Sequence, residues 1–209
     1  RAGLPVITLE DGFIRSVGLG SAGWPGHALV VDPVGIYFDA TQPSRLEHLL
    51  AGRQLSAAER GRIRAIRQQL IDRQVSKYNV GERGEAWPPV PPGRPCLLVP
   101  GQVEDDASVR YGSPQLRSNQ ALLQAVRARH PEAFIVYKPH PDVLAGLRAG
   151  QIDDPVAQGW ADALIEQLPM PDCLQHCDAV HTLTSLAGFE ALIRGVPVVC
   201  YGQPFYAGW

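Results

Sequence analysis

Two short segments hold the residues best suited to chemistry. Lys138-Pro139-His140-Pro141-Asp142 supplies a cation and an imidazole, and Val180-His181-Thr182-Leu183-Thr184-Ser185-Leu186, about forty residues on, supplies hydroxyls and a helix start. Brought together, these groups would neutralise one phosphate: the lysine by charge, the imidazole by an N–H, the helix start by its free backbone donors. Ala133-Phe134-Ile135-Val136-Tyr137 reads as a strand that Pro139 and Pro141 stop, so its last side chains open into a loop. Loops at strand ends carry the ligand sites of α/β proteins, which points to a nucleotide sugar or a similar ligand.

Carboxylates gather at two other strand ends. Glu104, Asp105 and Asp106 follow the apolar run Cys96 to Val99, and three adjacent acids repel one another unless a cation, a hydrogen-bond network or a substrate offsets them. A solvated acidic turn is the plain alternative. Glu10 and Asp11 follow Pro5-Val6-Ile7-Thr8-Leu9 and enter a turn at Gly12. Thr184 and Ser185 are also ordinary helix caps, a role compatible with phosphate binding, and the small Ala187 and Gly188 leave room for an anion. Glu190, one turn further, either reaches a ribose hydroxyl or stands on the helix surface as most glutamates do. Cys96, Cys173, Cys177 and Cys200 read as buried free thiols; His176 between two of them suggests a metal clip, but a second ligand pair is missing.

Elements must carry these residues to one place. Residues 28–32 and 35–39 read as a hairpin around Pro33 and Val34, Pro43-Ser44 opens a short helix, and a longer helix starts at Ser56 with Ile63, Ile66 and Leu70 on one face. Arg60, Arg64 and Arg67 form an adjoining stripe, either a solvated face or a contact for an anionic surface. Residues 86–95 hold five prolines and read as a linker. Beyond it, strands at 96–99, 133–137, 179–183 and 196–201 alternate with helices at 118–129, 143–148, 172–177 and 186–194, and residues 100–113 read as a loop. That alternation predicts a Rossmann-like parallel sheet in the second half; the first half reads as the end of a companion domain.

Composition excludes several partners. The chain has 209 residues, 45% hydrophobic, with a formal net charge of −2, so no basic surface for nucleic acid is expected. No apolar stretch approaches the roughly 20 residues that span a bilayer, and a cytoplasmic location is expected. A start at Arg1 and a stop at Trp209 directly after a turn suggest a piece of a longer protein.

Five ordered motifs carry a family resemblance: EDGFIRS at 10–16, QVEDDAS at 102–108, YKPHPDV at 137–143, TSLAGFEALIRG at 184–195 and PFYAGW at 204–209. Together they resemble the capsule polysaccharide β-Kdo transferases of the KpsC type, most closely the second transferase module of such proteins. The resemblance implies a GT-B-like α/β fold, with two Rossmann-like domains facing a cleft. Residues 1–85 would be part of the N-terminal, acceptor-side domain, 86–95 the linker, and 96–209 the CMP-binding domain. It implies a retaining enzyme that moves Kdo from CMP-β-Kdo to an oligo-Kdo linker on a phosphatidylglycerol lipid, peripheral at the inner face of the inner membrane and a partner in a capsule assembly or export complex.

Carried over residue by residue, the pattern implies Asp106 as nucleophile with Gln102 four places before it and Asp105 as the alternative. It implies Glu10 or Asp11 as acid/base, positioned by Arg15, and Lys138, His140, Pro141, Thr184, Ser185 and Glu190 around the nucleotide. No metal or other cofactor is expected, since lysine, histidine and a helix dipole can offset the charge of a departing phosphate. Two other readings stay open: another CMP-sugar-acid transferase of the sialyltransferase kind or a different α/β enzyme such as an epimerase, and a non-catalytic CMP-binding scaffold.

Overall fold

The computed structural model describes residues 5–81 and 84–208; Arg1 and Trp209, the last residue of the PFYAGW motif, lie outside them. An antiparallel ribbon comes first, β1 (Thr8–Asp11) pairing with β2 (Leu29–Asp32), so Glu10 and Asp11 belong to a strand rather than to the turn expected. The hairpin expected within 28–39 does not form. Asp32 explains why: its carboxylate accepts the N–H groups of Val34, Gly35 and Arg45, which turns the chain away from β2. Those bonds and their charge complement favour the ionised form and outweigh its burial, so its pKa is lowered.

Helices α1 (Arg45–Gly52) and α2 (Ala57–Asp72) start at Ser44 and Ser56, each closed by a capping box with Glu47 or Glu59. α2 buries none of its residues, and Ile63 and Ile66 on its apolar face are 47% and 44% exposed. Within its arginine stripe, Arg60 donates to the Leu55 carbonyl and Arg67 to the Ile193 carbonyl.

The second part is built on a sheet of β3 (Cys96–Pro100), β4 (Phe134–Lys138), β5 (Ala163–Leu164), β6 (Ala179–Thr182) and β7 (Val198–Cys200), all parallel, in the order β5-β4-β3-β6-β7. Both faces are covered, which is why β3 and β4 are buried throughout, and apolar but for Lys138 at the end of β4, rather than alternating. Leu97, Val99, Ile135 and Tyr137 pack on one face against Leu122, Leu123 and Val126 of α4 (Asn119–Arg129), after a short α3 (Ala107–Gly112). Cys96, Leu98, Phe134 and Val136 pack on the other against Leu168, Cys173 and Ala191. Alternate residues of a strand point to opposite faces, so one apolar run serves two cores. The helices α5 (Pro141–Leu144), α6 (Met170–Cys173) and α7 (Leu186–Ile193) complete the chain. Among the described residues no parallel strand pair precedes β3.

Three differences from expectation stand out here. α3 lies where 100–113 was expected to be a loop, α5 and α6 start two residues early, and β5 was not foreseen. The proline-rich stretch forms no helix or strand, yet it packs: Trp87 stacks on His176 with ring centroids 5.5 Å apart, and Trp87 and Val90 lie against the second core. Burial pushes the thiols of Cys96 and Cys200 up to about 11 and those of Cys173 and Cys177 up to about 12.

An aromatic cluster joins the two parts. Phe13 stacks on Phe205 at 4.9 Å, while Tyr37 meets both rings edge-on and Phe189 of α7 closes the group. No helix among the described residues is long and apolar enough to cross a membrane.

Candidate active site

The strand order sets where the site lies. From β3 the chain proceeds to β4 on one side and later returns to β6 on the other, so the loops after β3 and β6 part company and leave a crevice at the C-terminal edge of the sheet. A cleft of about 690 Å³ opens there, and the ribbon and the 76–81 turn form its facing wall.

Gln102 pins the two loops together. It is 6% exposed; its Oε1 accepts the Thr184 N–H at 2.9 Å and its Nε2 donates to Thr184 Oγ1 at 3.0 Å, so one amide bonds both the N–H and the hydroxyl of Thr184. Its backbone N–H goes to Asn119, whose own amide donates to the carbonyls of Gln102 and Gly150. Asp106 is the N-cap of α3, with Oδ1 accepting from the Ser108 N–H at 2.8 Å and from the Ser108 hydroxyl at 2.7 Å. Among the described residues Oδ2 takes no hydrogen bond, and Asp106 lines the cleft. Asp105 turns the other way, to Arg148 at 3.0 Å on the surface, and is not among the described residues that line the cleft.

Across the cleft, Glu10 and Asp11 both line the wall. Glu10 Oε1 accepts the Asp11 N–H, whereas Asp11 is tied to Arg15 Nε at 2.5 Å. Arg15 does not itself line the cleft; it also donates to Ser16 and to the Trp24 carbonyl, and so fixes Asp11 in place.

On the floor, His140 caps α5: its Nδ1 accepts the Asp142 N–H at 3.1 Å, which leaves the ring proton of the neutral form on Nε2. Burial lowers its pKa, and the Asp142 carboxylate only partly opposes this, so the ring is neutral at pH 7 and serves as a donor through Nε2. Pro141 follows at the first helical position and also lines the cleft. Ser185 caps α7, accepting the Ala187 N–H at 3.2 Å, and its carbonyl takes the Tyr206 hydroxyl.

Two groups behave differently from expectation. Lys138 lines the cleft as expected, but it is only 7% exposed and gives its ammonium to the Glu166 carbonyl at 2.8 Å; burial lowers its pKa. The carboxylate of Glu85 holds that carbonyl's loop by accepting the N–H groups of Glu166, Gln167 and Leu168. Glu190 is not a surface residue. It is 7% exposed and lines the cleft; Oε1 accepts the Lys77 N–H at 2.7 Å, Oε2 is buried with no partner among the described residues, and burial pushes its pKa up to about 6. Gly188 does not admit an anion either, because a Cβ there would meet the Tyr206 hydroxyl at 2.4 Å; the glycine makes room for that ring.

Tyr37 and Lys77 were not foreseen. Tyr37 lines the cleft among Glu10, Asp11 and Asp106, and its burial together with those carboxylates and Tyr78 raises its pKa, so the phenol keeps its proton. Its only sequence mark is an aromatic after Gly-Ile, which says nothing of a site. Lys77 follows α2 in Ser76-Lys77-Tyr78-Asn79, where the Asn79 turn residue is the one local sign that a side chain is being presented. Among the described residues, no three His, Cys, Asp or Glu side chains are placed to hold one metal ion.

Comparison with known proteins bears on this arrangement. The sequence matches the family described as "Capsule polysaccharide biosynthesis protein" over residues 1–80 and 62–209. It is 50% identical to the capsule polysaccharide modification protein LipA of Neisseria meningitidis over 206 residues, which cover 99% of this chain and 29% of LipA. Among solved structures, the β-Kdo 2,4 transferase of Thermosulfurimonas dismutans KpsC superposes with a TM-score of 0.84 at 38% identity, over 99% of this chain and 64% of that one. The β-Kdo 2,7 transferase of the same KpsC gives 0.78 at 39% identity, over 100% and 61%. The chain thus spans less than a third of the length of the Neisseria relative.

Proposed function

Because the chain belongs to the capsule polysaccharide biosynthesis protein family, we propose that its cleft transfers Kdo from CMP-β-Kdo, with retention, to a Kdo-bearing lipid-linked acceptor. The observation that carries this reading is the meeting of three groups in one cleft. Asp106, with an uncommitted Oδ2, faces the acidic wall of Glu10 and Asp11 above a floor of His140, Ser185 and Glu190.

The chemistry follows from the donor. Its anomeric carbon is tertiary and carries a carboxylate, so cleavage passes through an oxocarbenium-like state that a carboxylate can trap. Asp106 Oδ2 forms a bond to that carbon while its bond to the phosphate oxygen breaks and CMP leaves, with charge building on the phosphate as His140 Nε2–H donates to it. An acceptor hydroxyl then attacks the same carbon, Glu10 takes its proton, and Asp106 is released as a carboxylate. Two inversions give retention. Glu10 suits the base role better than Asp11, which Arg15 already engages. Glu190 Oε2 is too enclosed to reach a ribose hydroxyl, so this reading keeps Glu190 at the nucleotide as the residue that holds the Lys77 N–H through Oε1, and it assigns no metal. The phosphatidylglycerol anchor, a capsule assembly complex as partner and a place at the inner membrane belong to the same proposal.

Mass spectrometry of the protein after brief exposure to CMP-Kdo tests it. A Kdo adduct on Asp106 and loss of transfer in Asp106→Ala, with CMP affinity retained, are expected. An adduct on Asp105 or Glu10, or near wild-type transfer by the variant, would reject the assignment. Turnover with CMP-sialic acid instead would support a sialyltransferase-like enzyme, and CMP binding without turnover of either donor a scaffold.

A further inference from the structure

The cleft needs a positive charge for its ligand's phosphate, and the lysine that sequence favours, though it lines the cleft, is buried with its ammonium engaged by a carbonyl. Lys77 is placed to supply it. Its backbone is locked on both sides: the N–H donates to Glu190 Oε1 at 2.7 Å, and the carbonyl accepts the N–H groups of Arg15 and Ser16 at 2.8 and 3.2 Å. Asn79 adopts φ = 51°, a left-handed conformation costly for most side chains, and is held there because its side chain bonds the Ser76 N–H and the Ser16 carbonyl while its own N–H bonds the Ser76 hydroxyl. A turn fixed this firmly presents one side chain in one direction.

That direction is the cleft. Lys77 lines it, its Nζ stands 5.0 Å from the centroid of the Tyr78 ring, and the same ring meets His140 edge-on at 6.5 Å. The charge of Lys77 acts on both His140 and Glu190, lowering the pKa of each, so the ammonium lies near both. Among the described residues no carboxylate lies within ion-pair distance of it. An ammonium beside an imidazole donor, without a counter-ion, suits an anion at that point.

We propose that Lys77, from the first part of the chain, is the cation that pairs with the phosphate of the bound nucleotide, meeting it beside the His140 donor. This rests on the nucleotide-sugar reading above and names the residue that makes it depend on the phosphate.

Calorimetry with CMP and with cytidine, which lacks the phosphate, separates the possibilities. Lys77→Met keeps the aliphatic stem and every backbone bond. It should weaken CMP binding roughly ten- to hundredfold, as for a lost charge-assisted hydrogen bond, and leave cytidine affinity unchanged. Lys77→Arg should recover most of the CMP affinity. An unchanged ratio of CMP to cytidine affinity in Lys77→Met, or an equal loss for both ligands, would overturn the assignment. So would the phosphate-specific loss appearing in Lys138→Met and not in Lys77→Met. Failure of the wild-type protein to bind either ligand would remove the nucleotide reading itself, and this proposal with it.

Discussion

Glu190 shows how burial can turn a helix-surface pattern into a site residue. Its Oε2 is buried and has no donor among the described residues, so the fold carries a charge it can ill solvate. The carboxyl pKa rises from 4.5 to about 6 through desolvation, opposed by the Lys77 N–H and the charge of Arg194. A raised carboxyl pKa means the folded state holds the proton longer. Folding is therefore favoured fully below pH 4.5, and stability falls by about 2 kcal/mol as pH rises past 6. Glu190→Gln keeps a carbonyl for the Lys77 N–H and removes the charge, so its melting temperature relative to wild type should climb between pH 4.5 and 7.5. Parallel melting curves for the two proteins across that range would contradict the burial argument. Sequence could name Glu190 as a candidate but could not bury it: the N–H that meets its carboxylate belongs to Lys77, 113 residues away.

Among the elements, those of the second part were legible because a sheet covered on both faces needs unbroken apolar runs, and Leu97-Leu98-Val99 and Phe134-Ile135-Val136 have no competing reading. The short α3 escaped notice because its six residues span too few turns to display a period, although Asp106 is an ordinary N-cap. The ribbon was misread for a different reason. Its pairing is decided by a carboxylate catching amides up to 13 residues away, a contact that local pattern does not contain. At α7, the packing of Tyr206 over Gly188 fixes the carbonyl of Ser185. Gly188→Ala should drive the ring outward and cost about 1–3 kcal/mol in urea unfolding, as overpacking does. Combining it with Tyr206→Phe, which removes the nearest atom, should cost less than the sum of the two changes. Strict additivity would show that the ring does not set the helix start.

Across the whole molecule, the first part has almost no interior of its own. Among the described residues before 82, Ile36 is the one apolar side chain that is fully buried. Its order is borrowed from the sheet part, through the stack of Phe13 on Phe205 and the contacts of Lys77, Val75 and Gln74 with Glu190, Arg194 and Asp172. Wild-type protein should therefore unfold in a single transition. Phe205→Ala should melt the ribbon and 76–81 turn first, seen as early loss of hydrogen-exchange protection there while β3 and β4 stay protected. Simultaneous loss in both parts would mean that the cluster does not carry the attachment.

The Gln102 amide has a consequence for how such a sequence can change over generations. Its carbonyl and its NH2 answer the N–H and the hydroxyl of Thr184, and neither residue has another partner of equal quality for those atoms. A drift at position 102 alone strands two buried polar groups at position 184, and a drift at 184 strands the amide. The two positions are thus inherited as one character: across relatives they should be exchanged together or kept together, even though 82 residues separate them in the chain.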